Sequence, residues 1–394
     1  MNHIYERLFR MTSDAVKLNL EIPRLLTAFL NFPHQAYSTV HIAGTNGKGS
    51  VSTKIAKALQ LSGLKVGLYT SPHLQDFRER ITVQGEWISE EAITAGIEAL
   101  FKYIDTNAIP ATFFELTTAL AFDYFRQQKV DVAVIETGLG GRLDATNVID
   151  PLLTVITSIS RDHAHILGDT LDEIAGEKAG ILKPNVPLVL GSKAVFAPIL
   201  KRAQDLGAPC RIAPEASGFY DAENSSTART ALEWLKELLP VTDEGINEGL
   251  RSRPPCRFER RGELIFDVAH NPDGFSRLFE AAQHFYPETK FYVLLGMSRD
   301  KEYERCLELA SERAEKIFLV QAKGERSARV EVLGEALRKR GFTRFVEGEN
   351  VSSTAELAAE EAKDAGAILL ICGSFFIMQE AREALLNGTT AAQL

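Results

Sequence analysis

The sequence predicts an α/β protein of two domains, each built on a mostly parallel sheet with helices on both faces. Three observations lead there. Short β-branched runs alternate with stretches of helical period. A glycine-rich turn separates the first strong strand from the helix after it. The alternation pauses once, around residues 209–258, and then resumes.

Taken in order, Ser38–Ala43 (STVHIA) reads as a buried strand, followed by a helix with Val51, Ile55, Ala58 and Leu59 on one face. Further strands are expected at Val66–Thr70, Val130–Glu136, Leu153–Thr157 and Val186–Leu190, with amphipathic helices over 89–104, 112–128 and 171–180. The alternation implies βαβ units. The pause holds polar GFYDAENSS, one helix over Thr227–Leu239, and RSRPPCRFER. Pro254 and Pro255 disfavour helix and make a stiff connector, so the domain boundary is expected there: residues 1–252, a linker at 253–258, and a smaller domain at 259–394. In the second domain, strands are expected at Leu264–Phe266, Phe291–Leu295, Ile317–Val320 and Ile368–Ile371, and helices over 273–285, 301–314, 328–340, 352–365 and 375–386. Two such domains on a stiff hinge are expected to leave a cleft, a usual place for ligands.

Size and composition set outer limits. A chain of 394 residues favours two or three domains over one, and 45% hydrophobic with 25% charged residues is ordinary for a globular protein. No run approaches the ~18 apolar residues needed to span a bilayer, and MNHIYERLFR carries charge where a signal peptide needs an apolar core. The expectation is a cytoplasmic protein with no membrane partner. A net charge of −9 argues against non-specific nucleic-acid binding. The cysteines, Cys210, Cys256, Cys306 and Cys372, are scattered without a C-x-x-C pair, which suggests neither a zinc site nor a disulfide framework.

The strongest local signal is HIAGTNGKGS, His41–Ser50. Gly44, Gly47 and Gly49 allow a tight turn whose backbone N–H groups, from Thr45 and Asn46 onward, aim at one point, and the helix N-terminus adds partial positive charge. Lys48 can then reach terminal phosphates, and Ser50 can meet Mg²⁺ or a phosphate oxygen. The strict G-x-x-x-x-G-K-[ST] pattern is broken twice, by Ile42 in place of the first glycine and by Gly49 after the lysine. The turn predicts ATP binding and leaves the reaction open.

Glu136 ends an apolar strand and precedes a GLGG turn. Ligands gather outside the carboxyl ends of such strands. A carboxylate there either holds Mg²⁺ on ATP or is a surface acid. SISRDHAHILG places His163 and His165 after the next strand, as a metal site or a polar loop; imidazole is an unusual Mg²⁺ ligand. Lys178, in DEIAGEKAGILKP, reads by itself as a solvated helix lysine. Ser71 in TSPHLQDFRERI is a hydroxyl ligand or a turn residue.

Together these segments resemble the folylpolyglutamate synthase and dihydrofolate synthase family, within the Mur-ligase-like ATP-dependent amide ligases. The matching pieces are GTNGKGS, TSPHL with FRERI, IETGLGGRLDATN, SISRDHAHILG and AGEKAGILKP, then CRFE, FDVAHNPDG and LLGMSRDKE, with weaker similarity to ICGSFF. They run in the family order from residue 44 to about residue 302. The resemblance implies a P-loop-type mononucleotide-binding domain followed by a smaller Rossmann-like domain. It implies that Lys48 and Ser50 bind ATP phosphates, that Ser71 and Glu136 coordinate one Mg²⁺ and His163 a second, and that Lys178 is carbamylated to support the metal site. Arg257 is implied to contact ATP phosphate, Asp267 and His270 the base or ribose, and Asn224 the adenine side. The chain departs from the family between about 200 and 250, where it is short and lacks a His-Gln pair before Asn224.

The activity so implied joins L-glutamate to dihydropteroate, to a reduced folate, or to both. The substrate carboxylate would first take the γ-phosphoryl group of ATP, and the glutamate amine would then displace phosphate. ATP, two Mg²⁺ ions and K⁺ are the expected cofactors, and a monomer the expected state. FRERI and LDATN are expected to border the pterin, with Arg80 and Asp144 as contacts. The alternative is a cell-wall precursor ligase, which would need a further N-terminal domain where only about 40 residues precede the phosphate loop. A nucleotide-gated binding protein without ligation is disfavoured by Glu136, His163, Lys178, Asp267 and His270 occurring together.

Overall fold

A computed structural model describes residues 3–11, 19–216, 218–324 and 326–386. They sort into two compact units: one drawn from residues up to Arg253, the other from Pro254 onward together with Ser160–Ile166 and the short stretch at 218–220.

The first unit opens with helices α1 (His3–Arg10) and α2 (Glu21–Phe29), strand β1 (Ser38–Ala43), helix α3 (Lys48–Leu61) and strand β2 (Val66–Tyr69). A hairpin of β3 (Ile81–Val83) and β4 (Glu86–Trp87) precedes α4 (Glu90–Thr106), α5 (Phe113–Gln127), β5 (Val132–Glu136) and β6 (Leu153–Ile156). There follow α6 (Ala164–Leu167), whose first residues belong to the second unit, then α7 (Leu171–Ala179), β7 (Leu188–Leu190), α8 (Ala197–Asp205), β8 (Cys210–Ile212), α9 (Tyr220–Leu235) and α10 (Asp243–Gly249). Among the described residues the sheet has eight strands in the order β4-β3-β2-β5-β1-β6-β7-β8, parallel except at the β3–β4 hairpin edge.

Period-two alternation decides what each strand residue faces. In β5, Val132 and Val134 join the core under α3 and α9, whereas Ala133 and Ile135 join the core under α4 and α5. In β1, Val40 and Ile42 take the α3 side. Both faces are covered, which is why these strands read as unbroken apolar runs. Local chemistry starts the helices: Thr112 and Glu115 form a capping box at α5, and Thr170 and Glu173 another at α7.

The second unit contains β9 (Glu259–Arg261), β10 (Leu264–Phe266), α11 (Pro272–Phe285), β11 (Phe291–Leu295), α12 (Tyr303–Arg313), β12 (Lys316–Leu319), α13 (Val330–Lys339), β13 (Phe345–Glu347), α14 (Val351–Asp364), β14 (Ile368–Cys372) and α15 (Phe375–Leu386). Its strand order among the described residues is β13-β12-β11-β14-β10-β9, with only β9 antiparallel to its neighbour. Asn271 caps α11 by accepting from Gly274 N, with Pro272 at the first helical position.

The expected pause at 209–258 is more ordered than the sequence suggests. It holds β8 and α10, and its helix begins at Tyr220 and ends at Leu235, rather than spanning Thr227–Leu239. Strand β8 is exposed along its length and pairs on one side only, with β7. Helix α10 is short and carries two glycines, so packing on α3, not intrinsic preference, holds it.

Candidate active site

The order of the central strands builds the site of the first unit. β1 lies between β5 and β6, with Ile42 opposite Glu136 and Ala43 opposite Ile156. The loop leaving β1 is therefore flanked by the residues that end its two neighbours. Thr45 N donates to Ser158 O at 2.8 Å, and Thr157 Oγ1 donates to Asn46 O at 2.6 Å. Ser158 Oγ exchanges hydrogen bonds with both N and O of Asn46 at 3.0 Å. Gly44 has φ +151°, and a Cβ there would stand 1.9 Å from Thr157 Oγ1. Gly47, at φ +85°, would carry a Cβ 2.3 Å from Asn224 Oδ1. The loop thus requires glycine for conformation and for clearance, and Asn224 of α9 lies against its turn.

Gly47 caps α3 without a side-chain hydrogen bond, so the first-turn N–H groups of a 14-residue helix are available to an anion. Two ammonium groups turn toward the same loop. Lys48 Nζ donates to Gly44 O at 3.1 Å and Thr45 O at 3.3 Å, and buried Lys178 Nζ donates to Gly44 O at 2.9 Å. Lys178 is not the solvated helix lysine that its local sequence suggests.

Alternation along β5 puts Glu136 on the α3 face with Val132 and Val134. Its carboxylate is buried, accepts from Ser71 N at 3.1 Å, and lies 3.5 Å from where a Cβ on Gly49 would be. Ser50 is also buried at the start of α3. Glu136 supplies a carboxylate, and Ser71, whose N–H meets it, and Ser50, which follows Gly49 beside it, carry hydroxyls; oxygen donors of these kinds suit Mg²⁺. Among the described residues no three His, Cys, Asp or Glu side chains gather as a metal cage. Phosphate oxygens and water would complete such a coordination sphere, as Mg²⁺ commonly requires.

The FRERI and LDATN segments are held tightly from within. Buried Arg80 donates through Nε to His73 Nδ1 at 2.8 Å and lies 5.1 Å from the Phe113 ring centroid. Burial first, and then the Arg80 charge, holds His73 down at about 4, so it accepts as the neutral ring. Asp144 accepts from Leu139 N at 2.8 Å and Thr146 N at 3.0 Å, and also from the Thr146 hydroxyl. Thr146 Oγ1 in turn meets His41 Nε2 at 2.8 Å. Burial raises the Asp144 carboxyl and depresses fully buried His41 to about 3.

In the second unit, Arg257 lies between two residues with left-handed backbone, Cys256 at φ 55° and Phe258 at φ 50°. Carboxylates brace this conformation: Cys256 N donates to Glu259 Oε2 at 2.9 Å, and Phe258 N to Asp267 Oδ2 at 2.7 Å. Asp267 Oδ1 also accepts from Ala269 N at 2.8 Å. The Arg257 guanidinium lies 5.1 Å and the His270 ring 5.8 Å from the Phe375 ring.

Around Asp162 the same unit gathers Lys301 Nζ at 2.6 Å, Asn271 Nδ2 at 3.1 Å and His270 Nε2 at 3.4 Å. Burial alone would raise the Asp162 carboxyl, but the His270 hydrogen bond and the Lys301 charge hold it well below the usual carboxylate range. His163, with φ 52°, receives a 2.9 Å hydrogen bond from Lys301, and burial takes it down to about 4. The structure therefore brings together Gly44–Ser50, Ser71, Glu136, Lys178 and Asn224 in one unit, and His163, Arg257, Asp267 and His270 in the other. Asp162, which the sequence sets beside His163 and His165, joins the second group together with Asn271 and Lys301, to which the sequence by itself assigns no role. Each lies inside a motif quoted above, SRDHAHILG, FDVAHNPDG or LLGMSRDKE, and that was the available signal.

The fold and the phosphate loop define the class first. Residues 42–193 match the Mur ligase middle domain, and residues 256–375 the Mur ligase glutamate ligase domain. The Bacillus subtilis dihydrofolate synthase/folylpolyglutamate synthase is 33% identical, over 94% of this chain and 95% of that protein. The Escherichia coli enzyme of the same name is 32% identical over 95% and 92%. The chain belongs to the dihydrofolate synthase/folylpolyglutamate synthase family. Among solved structures, E. coli FolC in complex with DHPP and ADP superposes with a TM-score of 0.87 at 29% identity, covering 97% of each chain. A bifunctional enzyme of the family with Mn, AMPPNP and L-glutamate bound gives 0.84 at 29% identity, covering 97% and 98%. Nucleotide and divalent-metal binding are thus seen in relatives of the same fold. No helix among the described residues is long and apolar enough to cross a membrane.

Proposed function

We propose that this chain uses ATP to join L-glutamate to the carboxylate of dihydropteroate, of a reduced folate, or of both. The observation that carries the reading is the approach of Lys48 to Gly44 and Thr45 beside the α3 N-terminus, with the buried Glu136 carboxylate accepting from Ser71 N next to it. That arrangement suits a triphosphate with its metal.

A carboxylate is a poor electrophile and needs activation before an amine can attack it. Its oxygen attacks the γ-phosphorus of ATP, breaking the bond to the bridging oxygen and releasing ADP, which leaves an acyl phosphate. The glutamate nitrogen then attacks the acyl carbon, phosphate departs with the C–O bonding pair, and the amine loses a proton. Lys48 and the first-turn amides of α3 offset charge on the phosphoryl group in the first step. Glu136, Ser71 and Ser50 would hold one Mg²⁺, which when bound neutralises phosphate charge. His163 is assigned to a second ion. Lys178, carbamylated, would present an anion to the metal site in place of an ammonium.

Arg257 is assigned to ATP phosphate, His270 and Asp267 to the base or ribose, and Asn224 to the adenine side. The internal bonding of Asp267 supports a further role in shaping the Arg257 turn. Arg80 and Asp144 are assigned to the pterin end. K⁺ as an additional ion, a monomeric state, a cytoplasmic location, and domain limits at 252 and 259 complete the reading. The test offers dihydropteroate and tetrahydrofolate separately with ATP, Mg²⁺, K⁺ and glutamate, and weighs the products by mass spectrometry. Addition of one glutamyl residue to either is expected; no glutamate-dependent ADP with either substrate would overturn the reading.

A further inference from the structure

The helix that starts at the phosphate loop carries a fully buried lysine that none of the assignments above uses. Lys54 of α3 is 0% exposed. Its ammonium donates to Leu250 O at 2.6 Å, to Ser252 O at 2.9 Å and to Asp221 Oδ2 at 3.2 Å, so that all three N–H directions are engaged. Asp221, itself buried, also accepts from Arg253 Nε at 2.7 Å. A buried ionic knot of this kind is seldom superior to an apolar replacement for stability alone. What it supplies is directional: an ammonium bonded to two backbone carbonyls sets where that backbone runs.

Two glycines tighten the same junction. A Cβ on Gly249 would stand 2.5 Å from both N and Cα of Ala58, and one on Gly245 would stand 2.8 Å from Ala58 O and 2.3 Å from Ser62 Oγ. Helix α10 therefore meets α3 backbone to backbone. Thr242, the N-cap of α10, donates through its N to Ser62 Oγ at 3.0 Å, fastening the other end of the contact. Residues 242–252 are thus tied to the C-terminal part of α3, at Lys54, Ala58 and its cap Ser62, and Arg253 to Asp221.

We propose that Lys54, paired with Asp221, is a positioning residue for the ligation. It fixes the point where the chain leaves the first unit to the helix that carries Lys48 and Ser50. This rests on the ligase reading above. Acyl transfer depends on near-attack geometry, in which a displacement of about 1 Å from a remote change can cost about 100-fold in rate. Lys54 touches no reacting atom in this scheme; it acts through the segment that it holds.

The test compares the wild type with Lys54→Met and with Lys54→Met/Asp221→Asn, the second removing both buried charges together. Melting temperature, affinity for ADP, amide hydrogen exchange over 250–253, and kcat and KM for glutamate-dependent ADP formation are measured. In the wild type, exchange at Arg251 and Ser252 is expected to be slow. In the double variant the fold and ADP affinity are expected to be retained, exchange over 250–253 to accelerate, and kcat to fall by about 100-fold with the KM for ATP unchanged. Fast exchange of that segment in the wild type would overturn the tie, whatever the variants do. So would a folded double variant turning over at the wild-type rate, since Lys54 would then only balance a charge. Wild-type turnover in the same assay reports on the ligase reading separately.

Discussion

Lys178 Nζ lies 2.9 Å from the carbonyl oxygen of Gly44, the same oxygen that Lys48 Nζ approaches at 3.1 Å. Unmodified, both side chains place positive charge beside the helix N-terminus, and carbamylation of Lys178 would leave that charge to Lys48 alone. Lys48 is part-exposed and its removal leaves no buried charge unpaired, so Lys48→Ala is expected to melt close to the wild type, within about 0.5 kcal/mol. Glutamate-dependent ADP formation is expected to be abolished. Retained turnover in the purified variant would refute the phosphate role.

Lys178 answers to a different measurement. Carbamylation consumes CO₂ and turns the ammonium into an anion. Protein equilibrated with ¹³C-labelled bicarbonate is expected to show a carbamate carbon resonance that Lys178→Ala lacks. Short carboxylic acids added to Lys178→Ala are expected to restore part of its activity. An unlabelled wild type with full activity would remove the modification from the scheme.

Gly44→Ala tests the clearance over Thr157. The added Cβ would sit 1.9 Å from Thr157 Oγ1, on a backbone that side chains rarely adopt. The loop must shift, and ADP affinity is expected to drop by at least about tenfold, an energy of about 1.4 kcal/mol. Calorimetric titration with ADP measures it.

The buried histidine of β1 predicts a pH window. His41 is held at about 3 against an ordinary 6.5, because burial, and secondarily Lys183, disfavours its charged ring. The unfolded chain therefore takes up the proton first. The stability that neutral His41 contributes is complete above about 6.5 and is lost as pH falls toward about 3. His41→Gln cannot titrate, and its denaturant midpoint is expected to fall less steeply than the wild type's between pH 6.5 and pH 4. Parallel slopes would show that His41 charges without penalty.

Asp144 organises the turn after Glu136 by accepting from two backbone N–H groups and the Thr146 hydroxyl. Asp144→Ala strands those donors in a buried place and is expected to cost about 1–3 kcal/mol in urea unfolding. An unchanged midpoint would mean that the turn is held by other contacts.

What could be read from the sequence follows from burial. Ser38–Ala43 and Val132–Glu136 are central strands with both faces covered, so their apolar runs are unbroken and the residues at their ends, Gly44 and Glu136, announce themselves. The β3–β4 hairpin, β8, β9 and β13 have two or three residues each and lie at or next to sheet edges, too short to show a period. Helix α10 is hidden for another reason: Gly245 and Gly249 are poor helix formers, present because Ala58 leaves no room for a side chain. The group around Asp162 draws on separate stretches ending in Asn271 and Lys301, and one sequence carries no record of which distant residues meet. Thr157 ends an expected strand and Ser158 follows it, but nothing local shows that they grip Asn46.

The phosphate loop springs from an interior strand bonded along both flanks, whereas the FRERI turn feeds the antiparallel rim at β3 and β4. Warming frays rims before interiors. A gently heated sample is therefore expected to keep its grip on ADP after it has stopped making amide bonds, passing from catalyst to mere nucleotide sponge before it melts.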